Sequence, residues 1–247
     1  MAFNAEYSAV FDLLYHDVDY ANSVAMVERH FEASRKTLLD VGCGTGKHVE
    51  FFKKKQAYVA GIDISESMLK CARSLNPEID FSCQDARSFR LARSFDVAVM
   101  MSAVLGYQIT NDDVLDTFKT INVHLNAGGL FVFDVWHGPT VLCIKPERRS
   151  KCIEGEDFNL VRVVEPVIDM MNNAVTCIFE WKSAGKDNTT KSDGSETHQM
   201  RYFFPKEIEL FARFTGFTVI DISRADNGQT FDGDSNCWHA RYVLRKD

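Results

Sequence analysis

The residues best spaced to do chemistry are three carboxylates and a run of glycines. Asp40 stands just before Gly42, Gly44 and Gly46, which recur at alternate positions. Such a turn lets a ligand approach the backbone closely, because no Cβ intervenes. N–H groups left free where a helix follows add hydrogen-bond donors. An acid beside the turn could take an ammonium group, and it would repel a pyrophosphate. Asp63 follows about 20 residues after the turn, where a carboxylate can accept ribose hydroxyls. Asp85, in Gln84-Asp85-Ala86, is a third acid; its plain alternative is turn formation. A second group, Tyr15, Tyr107, His137 and His198, carries side chains able to accept or pass a proton.

The elements that must hold these residues follow from hydrophobic pattern. Leu38, Leu39 and Val41 read as a buried strand, and residues 47–55 as a helix carrying Val49, Phe51 and Phe52. Residues 58–63 and 79–83 read as the second and third strands. Ser65 is a plausible N-cap for a helix whose apolar side is Met68, Leu69 and Ala72. Residues 95–101 are the fourth strand, Asn111 or Asp112 caps the next helix, and Gly128-Gly129 turns into a fifth strand at 130–135. Strand and helix alternate with ordinary connections, so right-handed crossovers and a parallel sheet are expected. Residues 136–202 show no clear helical period. Strands are expected there at 160–168, 174–181 and 196–204, with a hairpin at Asn172-Asn173 and a polar loop over 185–195. Pro205 starts a helix that Gly216 ends. Residues 217–222 and 238–244, joined by a loop, should pair antiparallel at one edge. The first 35 residues read as two helices. Phe3, Tyr7, Phe11 and Tyr15 recur every four residues, either as a core stripe or as a lid carrying hydroxyls over a ligand.

The Asp-x-Gly-x-Gly-x-Gly spelling resembles motif I of the class I S-adenosylmethionine-dependent methyltransferases. The run Asp63-Ile64-Ser65-x-x-Met68-Leu69 resembles that family too. The opening Phe-Asp-Leu-Leu-Tyr-His-Asp-Val-Asp-Tyr and the later Glu196-x-His198-x-Met200-Arg201 look like those of nucleotide-sugar N,N-dimethyltransferases. The resemblance implies an α/β, Rossmann-like seven-stranded sheet of order 3-2-1-4-5-7-6 with its last strand antiparallel. The resemblance runs through residues 1–135 and 200–247 and matches the middle only loosely. The pattern itself reads as one domain over residues 1–247, with a helical lid over 1–35 and a small antiparallel β insertion at 136–202 that, standing at the carboxyl ends of the strands, would cover an acceptor. By the same resemblance Asp40, Gly42, Cys43, Gly44 and Thr45 hold the methionine end of S-adenosylmethionine, with Tyr7 and Tyr15 from above, and Met101 is a further cofactor contact. Asp63 holds the ribose, and Ile64, Met68, Asp85 and Ala86 the adenine; the product is S-adenosylhomocysteine. The family carries a histidine where this chain has Tyr107. Tyr107, Tyr15, His137 and His198 are therefore the candidates on the acceptor side.

Composition sets limits. The 247 residues carry a formal net charge of −7, which argues against a nucleic-acid partner. No apolar run approaches the roughly 18 residues of a spanning helix, and no signal pattern opens the chain. Seven cysteines with no C-x-x-C spacing fit reduced thiols in a cytoplasm, with no metal expected. The expected reaction is methyl transfer to N or O of a small molecule, first a nucleotide-activated aminosugar. Another small amine or a natural-product hydroxyl comes next, and a non-catalytic relative of the fold is the third reading. A nicotinamide oxidoreductase is disfavoured by the early third glycine, Asp40 and Asp85. A homodimer, with the insertion as lid or as contact, stays open.

Overall fold

The computed structural model describes residues 5–155, 158–185, 190–231 and 236–247. Phe3 and residues 186–189 of the expected 185–195 loop lie outside them. The chain opens with α1 (Ala5–Leu14) and α2 (Tyr20–Glu28), then alternates β1 (Thr37–Val41), α3 (Lys47–Phe52), β2 (Tyr58–Asp63), α4 (Glu66–Leu75) and β3 (Asp80–Cys83). Next come β4 (Phe95–Met100), a short 3-10 turn over Val104–Tyr107, α5 (Asn111–Val123) and β5 (Leu125–Trp136). Among the described residues the main sheet has the order β10-β11-β5-β4-β1-β2-β3, the expected one, with β10 (Phe217–Arg224) and β11 (His239–Lys246) as its last two strands. β11 runs antiparallel to both β5 and β10. β1 is buried from Leu38 onward because helices cover both faces of the parallel sheet.

Local chemistry explains the element boundaries. Ser65 caps α4 through the Met68 N–H. Thr110, one residue before the two expected candidates, caps α5 in a capping box with Asp113. Pro205 opens α7 (Pro205–Phe214), and Gly216, at φ +74°, follows its end. The register shift between Phe95 and Val97 absorbs the Gly128-Gly129 turn inside β5.

The stretch expected to hold only strands contains a helix, α6 (Gly138–Ile144). At seven residues it is too short to show a period, and Pro139 near its start reads as a breaker. The insertion itself is a four-stranded antiparallel sheet: β6 (Arg149–Glu154), β7 (Phe158–Asp169), β8 (Ala174–Gly185) and β9 (Thr190–Arg201). Residues 190–195, read as polar loop, belong to β9, where pairing with β8 overrides their poor strand propensity. The hairpin falls where expected, with Asn173 at φ +51°.

Two clusters sandwich the main sheet. Phe118, Phe131, Phe133 and Tyr242 fill the α5–α7 side, while Val24, Val49, Phe52, Val99, Val132 and Val243 fill the α2–α4 side. A third cluster joins α1 to the insertion through Tyr7, Val10, Leu14, Leu160 and Trp181. Each such side chain contributes about 1.5–3 kcal/mol by burial. Lys151 Nζ ties β6 to the end of α1, donating to Leu14 O at 2.6 Å. Among the described residues no helix is long and apolar enough to cross a membrane.

Candidate active site

A cavity of about 940 Å³ opens at the carboxyl ends of the parallel strands, beneath the insertion sheet. That is where open α/β sheets bind ligands. Its floor is the glycine turn, and each glycine is there for a different reason. Gly42, at φ +75°, packs so closely that an added Cβ would lie 2.4 Å from Val104 Cγ1. Gly46, at φ +78°, approaches Ala72 and Asn76 of the α4 end. Gly44, at φ +54°, faces open space, with nothing within 4 Å of an added Cβ. Its N–H donates to Asp63 Oδ2 at 2.9 Å, and Ser65 N–H donates to Oδ1 at 2.8 Å. Burial pushes the Asp63 carboxyl up, and those backbone donors only partly offset it.

Cys43, Thr45, Ile64, Met68, Ala86 and Met101 line the same wall. Asp85 lines it too, and it is gripped by Arg87, which also reaches Asp113. That hydrogen bond, with the charge of Arg87, outweighs burial and holds Asp85 below its ordinary value. Asp40 behaves differently from expectation. It is 1% exposed, lies behind the turn and is absent from the cavity wall. Burial, reinforced by the charge of Asp63, pushes its carboxyl up to about 8. An acid that sequence reading overlooked, Asp12 of α1, clamps the turn instead: Thr45 Oγ1 donates to Asp12 Oδ1 at 2.7 Å.

The roof carries the proton-handling groups. Tyr107 Oη lies 3.2 Å from His198 Nδ1, and His198 Nε2 lies 2.9 Å from Glu196 Oε2. With a carboxylate at Nε2, that nitrogen carries the hydrogen, and Nδ1 accepts from the phenol. Burial holds the Tyr107 phenol well above its ordinary value. β9 places His198, and Arg201 of the same strand donates to Ile109 O at 3.1 Å, fixing the loop that carries Tyr107. Tyr15 lines the cavity and accepts from Arg162 Nη1 at 3.0 Å.

Two expected members fall elsewhere. Tyr7 is fully buried against Trp181 and Phe179, with centroids 5.0 and 5.8 Å away, and is not part of the cavity wall. His137 is 2% exposed, sits at the start of α6 against Phe231, and likewise does not reach the cavity. Its position just after β5 suggested the mouth, but the backbone turns it inward. The structure adds His48, Asp134, His239 and Arg241, which no local pattern marks. Burial drives the His48 imidazole down to about 4.

Residues 38–129 match the family model described as a methyltransferase domain. The dTDP-3-amino-3,4,6-trideoxy-alpha-D-glucopyranose N,N-dimethyltransferase of Streptomyces venezuelae is 34% identical over 142 residues, 56% of this chain and 60% of that protein. The chain thus spans less than two thirds of that relative's length. Among solved structures, Streptomyces venezuelae DesVI superposes with a TM-score of 0.83 at 25% identity, covering 99% of this chain and 100% of that one. The S-adenosylmethionine-bound CalS10 from Micromonospora echinaspora, an amino pentose methyltransferase, gives 0.77 at 19% identity over 100% and 98%. At that identity the second match speaks for the fold alone.

Proposed function

We propose that this chain, which carries a methyltransferase domain at residues 38–129 on the fold of S-adenosylmethionine-dependent methyltransferases, methylates the amine of a nucleotide-activated aminosugar. The observation that carries the reading is one cavity with two unlike walls: a glycine turn with Asp63 on the sheet side, and the Tyr107–His198–Glu196 chain on the insertion side. The name of the Streptomyces venezuelae relative supports the choice of acceptor class.

The residues present fit the cofactor. The open space over Gly44 admits a nucleoside at the backbone, Asp63 stands at the ribose position, and Ile64, Met68 and Ala86 offer an apolar slot for a base. When bound, S-adenosylmethionine supplies a methyl group already activated on a sulfonium. The protein's own task is positioning, worth up to roughly 7–11 kcal/mol, and exclusion of water. The roof of insertion and α1 serves both.

An amine must present its lone pair, and an aminosugar arrives largely as ammonium. Tyr107 oxygen accepts the ammonium proton while the phenol proton passes to His198 Nδ1. The resulting imidazolium is held by Glu196 at Nε2. Such relayed acid–base assistance contributes about 10²–10⁴-fold. Tyr15, fixed by Arg162, bounds the acceptor on the other side.

The test is incubation of purified protein with S-adenosylmethionine and a panel of dTDP-aminosugars, read by mass spectrometry. Gain of one or two methyl groups with matching release of S-adenosylhomocysteine is expected. Methylation of hydroxyl acceptors alone would replace the amine reading. His198→Ala should lower turnover by about 10²-fold or more while leaving S-adenosylhomocysteine affinity unchanged.

A further inference from the structure

Arg241 of β11 is 1% exposed, yet it lines the cavity. Its Nη2 donates to Ala225 O at 3.1 Å, while Nε and Nη1 are buried with no partner. Leaving charged donors buried and unpaired is costly, so such groups point to a ligand. The other lining lysine and arginines among the described residues are engaged. Lys47 is 3.7 Å from Asp12, Arg87 holds Asp85 and Asp113, and Arg149 lies over the Trp238 ring. Arg162 holds Tyr15 through Nη1 and leaves its Nε buried without a partner, against two orphaned nitrogens on Arg241.

The place of Arg241 in the sheet says which ligand end it meets. It stands directly opposite Asp134 of β5 in the antiparallel register. Strand alternation sets Asp134 on one face with Val132, and Arg241 on that same face with Val243. This is the face on which Met101, Val49 and Val99 pack. His48, in the first turn of the helix that leaves the glycine turn, feels the charges of both Asp134 and Arg241. The guanidinium therefore occupies the lobe next to the glycine turn, away from the insertion and the Tyr107–His198 pair.

Two anions could fill that lobe, the carboxylate of an amino acid or the diphosphate of a nucleotide. The surroundings favour the first. A cation and an anion side by side match a zwitterion, whereas a diphosphate would face the carboxylates of Asp134 and Asp226, both on the cavity wall. The Asp134 carboxylate is also structurally fixed: it accepts from Ser102 N–H at 2.7 Å and Ala103 N–H at 2.9 Å, and His239 Nδ1 lies 3.0 Å away.

We infer that Arg241 is the receptor for the methionine carboxylate of S-adenosylmethionine, supplied from the far, antiparallel strand of the sheet and not from the N-terminal helices. The inference rests on the cofactor proposed above. It assigns Arg241 to binding the cofactor's amino-acid end and to no step of proton transfer.

The experiment is calorimetric titration of the full chain with S-adenosylhomocysteine and with its decarboxylated analogue, the same thioether ending in a propylamine. Native protein should prefer the carboxylate-bearing ligand by about ten- to a hundredfold. Arg241→Met should erase that preference by weakening S-adenosylhomocysteine alone, and Arg241→Lys should keep part of it. The analogue is the internal control for folding, because a merely structural role would weaken both ligands together. Equal loss for both, or no loss for either, overturns the inference. Loss of inorganic pyrophosphate binding in Arg241→Met with S-adenosylhomocysteine unaffected would also overturn it and assign the lobe to the acceptor's phosphates. Failure of the native protein to bind S-adenosylhomocysteine at all would overturn the cofactor reading and this inference with it.

Discussion

Gly42 and Gly44 stand two residues apart in the same turn, and alanine should do different things at each. At Gly42 the new Cβ would collide with Val104 at 2.4 Å, so Gly42→Ala should lower the melting temperature as well as ligand affinity. At Gly44 the new methyl meets only cavity, so the cost to stability is the left-handed conformation, about 1–2 kcal/mol. S-adenosylhomocysteine affinity should fall about tenfold or more there with the fold intact, as titration would read. Asp63→Asn removes an ionised acceptor and should cost about 1.5–3 kcal/mol of the same affinity. Asp40 makes a pH prediction. Its folded value of about 8 lies above the ordinary 3.8. The folded protein therefore keeps a proton that the unfolded chain has released, and the stability this group contributes is complete below 3.8 and drains as pH rises toward about 8. Asp40→Asn is neutral throughout. Its stability relative to the native protein should climb by up to about 1.4 kcal/mol per pH unit across that window and then level, as denaturant titrations at stepped pH would show.

At the scale of elements, α1 and the insertion depend on one another. Tyr7, Phe11 and Tyr15 form one stripe, but their partners Phe179 and Trp181 arrive from β8. Trp181→Ala should cost about 3–5 kcal/mol. It should also raise the KM for acceptor more than it weakens S-adenosylhomocysteine, since the roof loosens while the glycine turn stays. The stripe was legible in the sequence; its use was not, because periodicity says which residues share a face and not what covers that face. The same limit explains Tyr7, which resembled a ligand contact and is a core residue. It explains Asp12 too, since its partner Thr45 meets it only through packing. Glu196, two residues before His198 on the same face of β9, was within reach of strand alternation. β1 to β5 and the glycine turn were readable because their signals are local: short apolar runs, strand-end acids and glycines that allow positive φ. α6 was missed for want of length, and the start of β9 because polar residues pair well when a neighbouring strand supplies the ladder.

For the whole molecule, the seven-stranded sheet was foreseeable from the order of elements, and the pairing of the last two strands from the loop between them. What that pairing accomplishes was hidden. The antiparallel return of β11 sets Arg241 against Asp134, residues more than a hundred positions apart, at the edge where β1 and β4 end. Ligand linkage gives a global prediction. S-adenosylhomocysteine at about a hundred times its dissociation constant should stabilise the fold by about 2.7 kcal/mol, visible as a rise in melting temperature.

The measurement that tests the central claim most directly is calorimetric titration of the native protein with S-adenosylhomocysteine beside NADH. Micromolar binding of the first and none of the second is the predicted result. Binding of NADH with no response to S-adenosylhomocysteine would mean that the glycine turn and Asp63 serve a dinucleotide, and the methyl-transfer account would be wrong.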